Sequence, residues 1–234
     1  MKTHTVLAAA AIALMATTLT AQSGSAVRLQ LAPGSQLAFD GTSTMHGFSC
    51  TTKTMQAYID VDPAYQTANL STLAHPIVAV QVVIPVKSLS CGGEIESNML
   101  KTLNATKYPY VIYKLSTYDM AGGSASAAGF VAATQGRLTI SGKDNDIAMS
   151  INATRGSDGM VTAAGAQTIK MTDFGVKPPT FFLGSLRVGN ELKVKFTLKA
   201  TPASVASAMA ELTTRLAMAA ASTSPATSPA EPQH

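Results

Sequence analysis

Leu192-Lys193-Val194-Lys195-Phe196-Thr197-Leu198-Lys199 carries the pattern that decides the fold class. Its apolar residues fall at every second position, and three lysines and a threonine fill the positions between. Successive side chains of a strand point to opposite faces. The stretch therefore predicts a β-strand with one face in a core and the other in water. The same period recurs upstream. Val27, Leu29 and Leu31 alternate with Arg28 and Gln30. Leu37 and Phe39 follow the Pro33-Gly34 turn signal. Met55, Ala57, Ile59 and Val61 alternate with Gln56, Tyr58 and Asp60. Val111, Tyr113 and Leu115 form another set, Leu138 and Ile140 the next. Ile147, Met149 and Ile151 follow, and Ile169 and Met171 flank Lys170. Val78–Ile84 is more continuously apolar, as expected of a strand buried on both faces or lying under a helix.

Turn chemistry separates these runs: Ser141-Gly142 with Lys143-Asp144-Asn145-Asp146, Gly156-Ser157-Asp158-Gly159, and Gly189-Asn190. About eight closely spaced strands predict an all-β, antiparallel meander that closes into a barrel, because closure removes exposed sheet edges. Between Ser90 and Tyr108 the period changes. Ile95, Met99 and Leu103 stand at i, i+4 and i+8, a helical stripe. Glu94 and Glu96 near its start and Lys101 and Lys107 near its end suit the helix dipole, and Pro109 closes it. One α-helix is thus expected within the barrel sequence, capping a mouth or crossing a face.

The ends read differently. Lys2 and His4 precede an apolar run, Val6–Leu14, and then a small, polar stretch ending near Ala21. This is the pattern of a signal peptide over residues 1–21, and the run of about 10 residues is too short to span a bilayer. No cysteine lies near the expected cut, and no second long apolar run predicts a membrane span. From Thr201 to His234 alanine, serine, threonine and proline dominate, so a largely disordered tail is expected. Within it Val205, Met209, Leu212 and Leu216 could form a short amphipathic helix. The barrel domain is placed at residues 27–200.

Charged residues make up 13% of the 234, and the formal net charge is +4 with no dense Lys/Arg run and no Trp. A nucleic-acid footprint requires clustering of basic residues, so nucleic acid is not expected as a partner. Cys50 and Cys91 are the two cysteines. An even count in an exported chain predicts a disulfide; two buried thiols or a redox pair are the alternatives, and the C-x-x-C spacing of a redox pair is absent. Beyond the signal segment the histidines are His46, His75 and His234. No catalytic constellation emerges: there is no G-x-S-x-G, no H-E-x-x-H and no phosphate-cradling loop. His46 and Cys50 lie four apart, but an oxidised sulfur cannot act as a nucleophile. Asp60 and Asp62 could pair as carboxylates, yet Asp62-Pro63 reads as strand-end turn chemistry. No metal site and no cofactor are expected. Asn-x-Ser/Thr triplets at Asn69, Asn104 and Asn152 are read as chance.

Four stretches in order resemble the YceI-like family. Leu37–Phe48 (L-A-F-D-G-T-S-T-M-H-G-F) is similar to its opening strands. Val86–Tyr110 (V-K-S-L-S-C-G-G-E-I-E-S-N-M-L-K-T-L-N-A-T-K-Y-P-Y) is similar to its central strand–turn–helix–strand segment and is the most specific. Gly136–Gly142 resembles its G-x-L-T-I-x-G strand, and Thr172–Gly175 its late D-F-G element. The resemblance spans about residues 27–200. It implies a lipocalin-like barrel, an exported protein, periplasmic or secreted, and a cavity holding a polyisoprenoid, quinone-type or similar apolar chain, without catalysis. A barrel of about eight strands can enclose one such ligand. Met45, Met55, Met99, Met149 and Met171 would supply adaptable surface. Phe39 and Phe174, inside the matched motifs, join the expected ligand contacts. His46, Lys107 and Tyr108 are candidates for a polar head or for structural hydrogen bonds. The chain departs from the family in lacking an early Trp and in its cysteines. Those flank the two best-matching motifs, so a Cys50–Cys91 bridge is expected to fasten the His46 region to the helix start. The alternative function is an envelope or stress interaction module with a filled core, acting through protein partners by way of its tail. An exposed sheet edge would also permit a homodimer.

Overall fold

The computed structural model describes residues 26–73, 75–120, 128–203 and 213–215. Eleven strands follow one another: β1 (Val27–Leu31), β2 (Gln36–Ser43), β3 (Gly47–Thr52), β4 (Gln56–Val61), β5 (Ile77–Pro85), β6 (Tyr110–Met120), β7 (Gly129–Ile140), β8 (Lys143–Arg155), β9 (Val161–Lys170), β10 (Thr180–Phe181) and β11 (Leu186–Pro202). One α-helix, α1 (Gly93–Thr102), is inserted between β5 and β6. The pairing order β1-β4-β5-β6-β7-β8-β9-β11 returns to β1 through antiparallel contacts at Leu29↔Pro202 and Leu31↔Ala200. The result is a closed, antiparallel, eight-stranded barrel with one helix, the architecture expected from the alternation.

The remaining strands decorate that ring. β11 pairs with β1 only at its C-terminal end; further back, Val188–Thr197 pairs with β2, which pairs with β3. β3 escaped the sequence reading because Gly47-Phe48-Ser49-Cys50-Thr51-Thr52 has few apolar residues to show a period. Two turn assignments need correction. Lys143–Asp146 is not loop but the start of β8; the turn is Ser141-Gly142 alone, and Asp144 and Asp146 lie opposite Thr139 and Arg137. Gly189-Asn190 is not a turn either. It forms a bulge inside β11, where the register against β2 slips between Val188 and Leu192. A Cβ on Gly189 would fall 2.5 Å from Thr42 Oγ1, so glycine fits this close approach. Asn190 uses the bulge to accept from Thr172 N at 3.1 Å and to donate to Thr172 Oγ1 at 2.9 Å. Thr201 and Pro202, read as tail, belong to β11. Burial on both faces of β5 is confined to Val82–Ile84; Val78 is 59% exposed. The signal segment lies outside the described residues, as does the tail helix apart from helical residues 213–215.

Both ends of the barrel are covered. At one end the chain between β4 and β5 folds inward. Asp62 Oδ1 accepts from Ala64 N at 2.7 Å and starts a 3₁₀ turn, Pro63–Gln66, that inserts Tyr65; Leu70 follows from a second short turn. Arg155 at the end of β8 donates to the carbonyls of Tyr65 and, at 3.0 Å, of Ala68, tying this cover to the wall. At the other end Leu103, immediately after α1, packs with Ile140 and Ile147 against the Ile169, Phe174 and Val176 cluster. Ser141 Oγ donates to Leu103 O at 3.0 Å. Cys50 of β3 and Cys91 before α1 form the expected disulfide.

Candidate ligand cavity

The inward positions of the barrel strands are those the alternation marked. Val82 and Ile84 of β5, Val111 and Tyr113 of β6, Leu138 and Ile140 of β7, Ile147 to Ile151 of β8, and Leu192 to Ala200 of β11 surround a central cavity of about 260 Å³. Along β7 its lining runs from Phe130 to Ile140. Ten residues of strand cover about 33 Å, or about 25 Å along the axis at an ordinary barrel tilt. The space is therefore long and narrow, just below the roughly 300–1,000 Å³ of most small-molecule sites.

Its wall is hydrocarbon with few polar atoms. Thr134, Thr154, Arg155, Gln167, Tyr65 and Tyr113 are the polar side chains on it. Thr134 Oγ1 is engaged with Met149 O at 3.0 Å. The hydroxyls of Tyr65 and Tyr113 are buried, with Gln66 and Thr134 as their polar neighbours but no hydrogen bond of ordinary geometry. Burial raises the phenol pKa of both above 10.0; Gln66 and then the Arg155 charge oppose this at Tyr65, and Thr134 opposes it at Tyr113. Tyr118, outside the cavity, is raised by the same cause, but its oxygen accepts from Ile77 N at 2.9 Å.

A second space of about 250 Å³ adjoins the helix end. It lies between the β2–β3 hairpin, α1 and the β10–β11 segment. Phe39, Leu103, Met171 and Leu192 line both spaces, so this vestibule meets the lumen there. At the opposite end the described residues that line the lumen include Tyr65, Leu70 and Arg155.

The residues singled out in the sequence fall into three groups. Met55, Met149, Met171 and Phe174 line the lumen, with Phe174 only 2% exposed, set by a turn that ends on left-handed Gly175. Met45, His46 and Met99 line the vestibule, and Phe39 stands where the two meet. Met45 is 72% exposed. His46 Nδ1 contacts Gly47 O at 2.8 Å. Tyr108 borders neither space. Its ring lies over Gly142, with Lys107 Nζ 5.2 Å from the ring centre, which joins the helix exit to the β7–β8 turn. The residues missed were Tyr65 and Phe130. Phe130 is the second residue of β7, ahead of the Leu138–Ile140 alternation. Tyr65 sits on a 3₁₀ turn, which has no period-2 signature.

Other chemistry is accounted for structurally. Asp60 pairs with Arg28 across β4 and β1, and Asp62 caps its turn. His75 packs edge-on against Tyr118. Among the described residues no three His, Cys, Asp or Glu side chains gather as a metal site, and no helix is long and apolar enough to cross a membrane.

The model of the YceI-like domain matches residues 26–200. No curated protein sequence matches the chain. Among solved structures, Burkholderia cenocepacia BcnA is similar at 22% identity and a TM-score of 0.56, over 71% of this chain and 96% of its own. A polyisoprenoid binding domain from Saccharophagus degradans, implicated in plant cell wall breakdown, is similar at 18% identity and a TM-score of 0.57, over 76% and 99%. At these identities the two structures speak to the fold.

Proposed function

The chain belongs to the YceI-like family, and on that footing we propose that it is an exported carrier or sequestering protein that holds an apolar, chain-like lipid of polyisoprenoid or quinone type in its barrel. One observation carries this reading: the long, nearly unbroken apolar lumen that opens into the vestibule beside α1. The likeness to a domain described as polyisoprenoid binding supports the ligand class. The mechanism is burial. Each CH₂ withdrawn from water contributes about 0.8 kcal/mol, so a chain is retained without polar chemistry. Methionines along lumen and vestibule adapt to a flexible guest. The lumen offers hydrocarbon and isolated phenols rather than a nucleophile beside a base, which supports binding over catalysis. The disulfide and the signal-like start support an oxidising compartment outside the cytosol.

Native mass spectrometry of the processed protein, purified without detergent and then extracted with organic solvent, tests this. A discrete adduct releasing an isoprenoid or related lipid is the expected result. A bare mass that persists after incubation with isoprenoid quinones and fatty acids would reject it. A partner module acting through the tail makes a different prediction: truncation after Ala203 abolishes function while lipid uptake persists.

A further inference from the structure

The vestibule differs from the lumen in its chemistry. The lumen wall is nearly all hydrocarbon, whereas α1 presents two stripes to the vestibule. Ile95 and Met99, continued by Leu103 just after the helix, form an apolar stripe, and Leu103 also lines the lumen. Glu94, Asn98 and Thr102 form a polar stripe beside it at the same four-residue spacing, so they stand on successive turns of one helix face. Asn98 and Thr102 are half-buried, and Glu94 is exposed at the start of the row. An amide and a hydroxyl both donate and accept, so the two together match a head group that does the same. The charges are one-sided. Glu94 is the only carboxylate among the described residues that line the vestibule, and no Lys or Arg is among them. The positive end of the helix dipole is answered within the chain, by Glu94 and by Glu96, which accepts from Cys91 N at 3.2 Å. An acidic head seated here meets a like charge with no cation to offset it.

We propose that this polar stripe is a head-group subsite selecting an apolar chain with a neutral, hydrogen-bonding head, an amide or alcohol, over the same chain ending in a carboxylate or phosphate. This rests on the carrier reading and deepens it by naming the head and giving the chain a direction. The hydrocarbon end enters the lumen first. The head stays in the vestibule against Asn98 and Thr102, and Glu94 turns acidic heads away.

The full processed chain, stripped of lipid, is offered equimolar hexadecanamide, hexadecanoate and hexadecane at mildly alkaline pH, where the acid is ionised. Excess is removed by gel filtration and the bound chains are quantified by gas chromatography. The ratio of bound amide to bound carboxylate should fall about threefold in Glu94→Gln relative to the parent protein, the scale of an exposed charge interaction. The ratio of bound amide to bound hexadecane should fall about fivefold in Asn98→Leu, the scale of one hydrogen bond. Comparing ratios between proteins cancels the different water solubilities of the probes. An unchanged ratio in either variant overturns the subsite and leaves the carrier reading standing. Uptake of none of the three chains by the parent overturns both. Direction is read separately. The chain has no Trp, so Phe181→Trp or Phe48→Trp places a single reporter on the vestibule lining. Quenching by 2-bromohexadecanamide should exceed quenching by 16-bromohexadecanamide; equal or reversed quenching overturns the proposal.

Discussion

Gly136 and Gly165 face inward, and each lies beneath an aromatic ring from a neighbouring strand. A Cβ on Gly136 would fall 2.5 Å from the Tyr113 ring, and one on Gly165 2.7 Å from Phe196. The glycines let these rings lie flat against the wall instead of crossing the lumen. Gly136→Ala should therefore lower stability by about 1–3 kcal/mol, the usual cost of overpacking, and tip Tyr113 into the cavity. A urea melt with a chain-uptake assay on the same sample measures both effects. The buried phenols make a second prediction. Tyr65, Tyr113 and Tyr118 all have native pKa values raised above the 10.0 of the unfolded chain, chiefly by burial. Above pH 10 the unfolded state releases protons that the native state retains, so the unfolded state gains. The phenols' contribution is complete below 10.0 and is lost as pH climbs through the raised native values. Unfolding free energy measured from pH 8 to 11.5 should fall at the alkaline end, less steeply in Tyr65→Phe. Tyr113 could be read from the sequence because it sits in an alternating run. Tyr65 could not, since nothing local says that a turn after Asp62-Pro63 will fold inward. For Tyr108 the sequence leaves a head-group role and a structural one open, and its ring packs over Gly142 of the β7–β8 turn.

At the scale of elements, the helix end is held by one covalent tie and several short polar contacts. Cys50 and Cys91 are separated by 41 residues. Closing a loop of that length stabilises by about 4 kcal/mol in the chain-entropy account. Thr52 Oγ1 meets Ser88 Oγ at 2.9 Å beside it, and Thr51 and Ser90 form an isolated bridge. These contacts hold the edge of β3 that faces away from β2 to the segment leading into α1. Cys50→Ala with Cys91→Ala should lower unfolding free energy by about 4 kcal/mol in denaturant titrations. It should also speed guest exchange, because the vestibule lies between β3 and α1; stopped-flow release of a fluorescent fatty acid reads that rate. The elements were legible wherever side chains alternate strictly, as in β11, or recur at i and i+4, as in α1. They were obscured where polar residues carry a strand. Lys143–Asp146 has turn composition, yet the β7 partner strand holds it extended, with Asp146 paired to Arg137 at 3.1 Å. Gly189-Asn190 likewise has turn chemistry, which β11 spends on a bulge that re-aims Asn190 toward Thr172.

At the scale of the molecule, closure and cavity follow from different properties of the same pattern. Closure depends on β1 meeting β11, a pairing of residues about 170 positions apart that no local signal records. Eight amphipathic strands required some solution to their edges, so a barrel could be inferred even though the joining strands could not. The cavity depends on volume. Among the inward positions of the adjacent strands β7, β8 and β9, Ala132, Gly136, Ala153, Ala163 and Gly165 are small and lie on one stretch of wall, and the three alanines line the lumen. Were they leucines, the same ring would be filled, and the alternation would look the same. The distinction between an open and a filled barrel therefore lies in residue size at alternate positions, not in the period. This gives the strongest test of where the guest resides. Ala163 lines the lumen, pairs with Ala153 and Leu198, and is half-buried, so space adjoins it. Ala163→Phe should leave the barrel folded, with a β-sheet circular dichroism spectrum and a midpoint shifted by the cost of about 1–3 kcal/mol. Its ring would occupy the middle of the lumen, and uptake should fall by about tenfold or more, equivalent to a loss of about 1.4 kcal/mol. A folded Ala163→Phe protein that still takes up a full complement of chain would place the guest outside the barrel, in the vestibule alone.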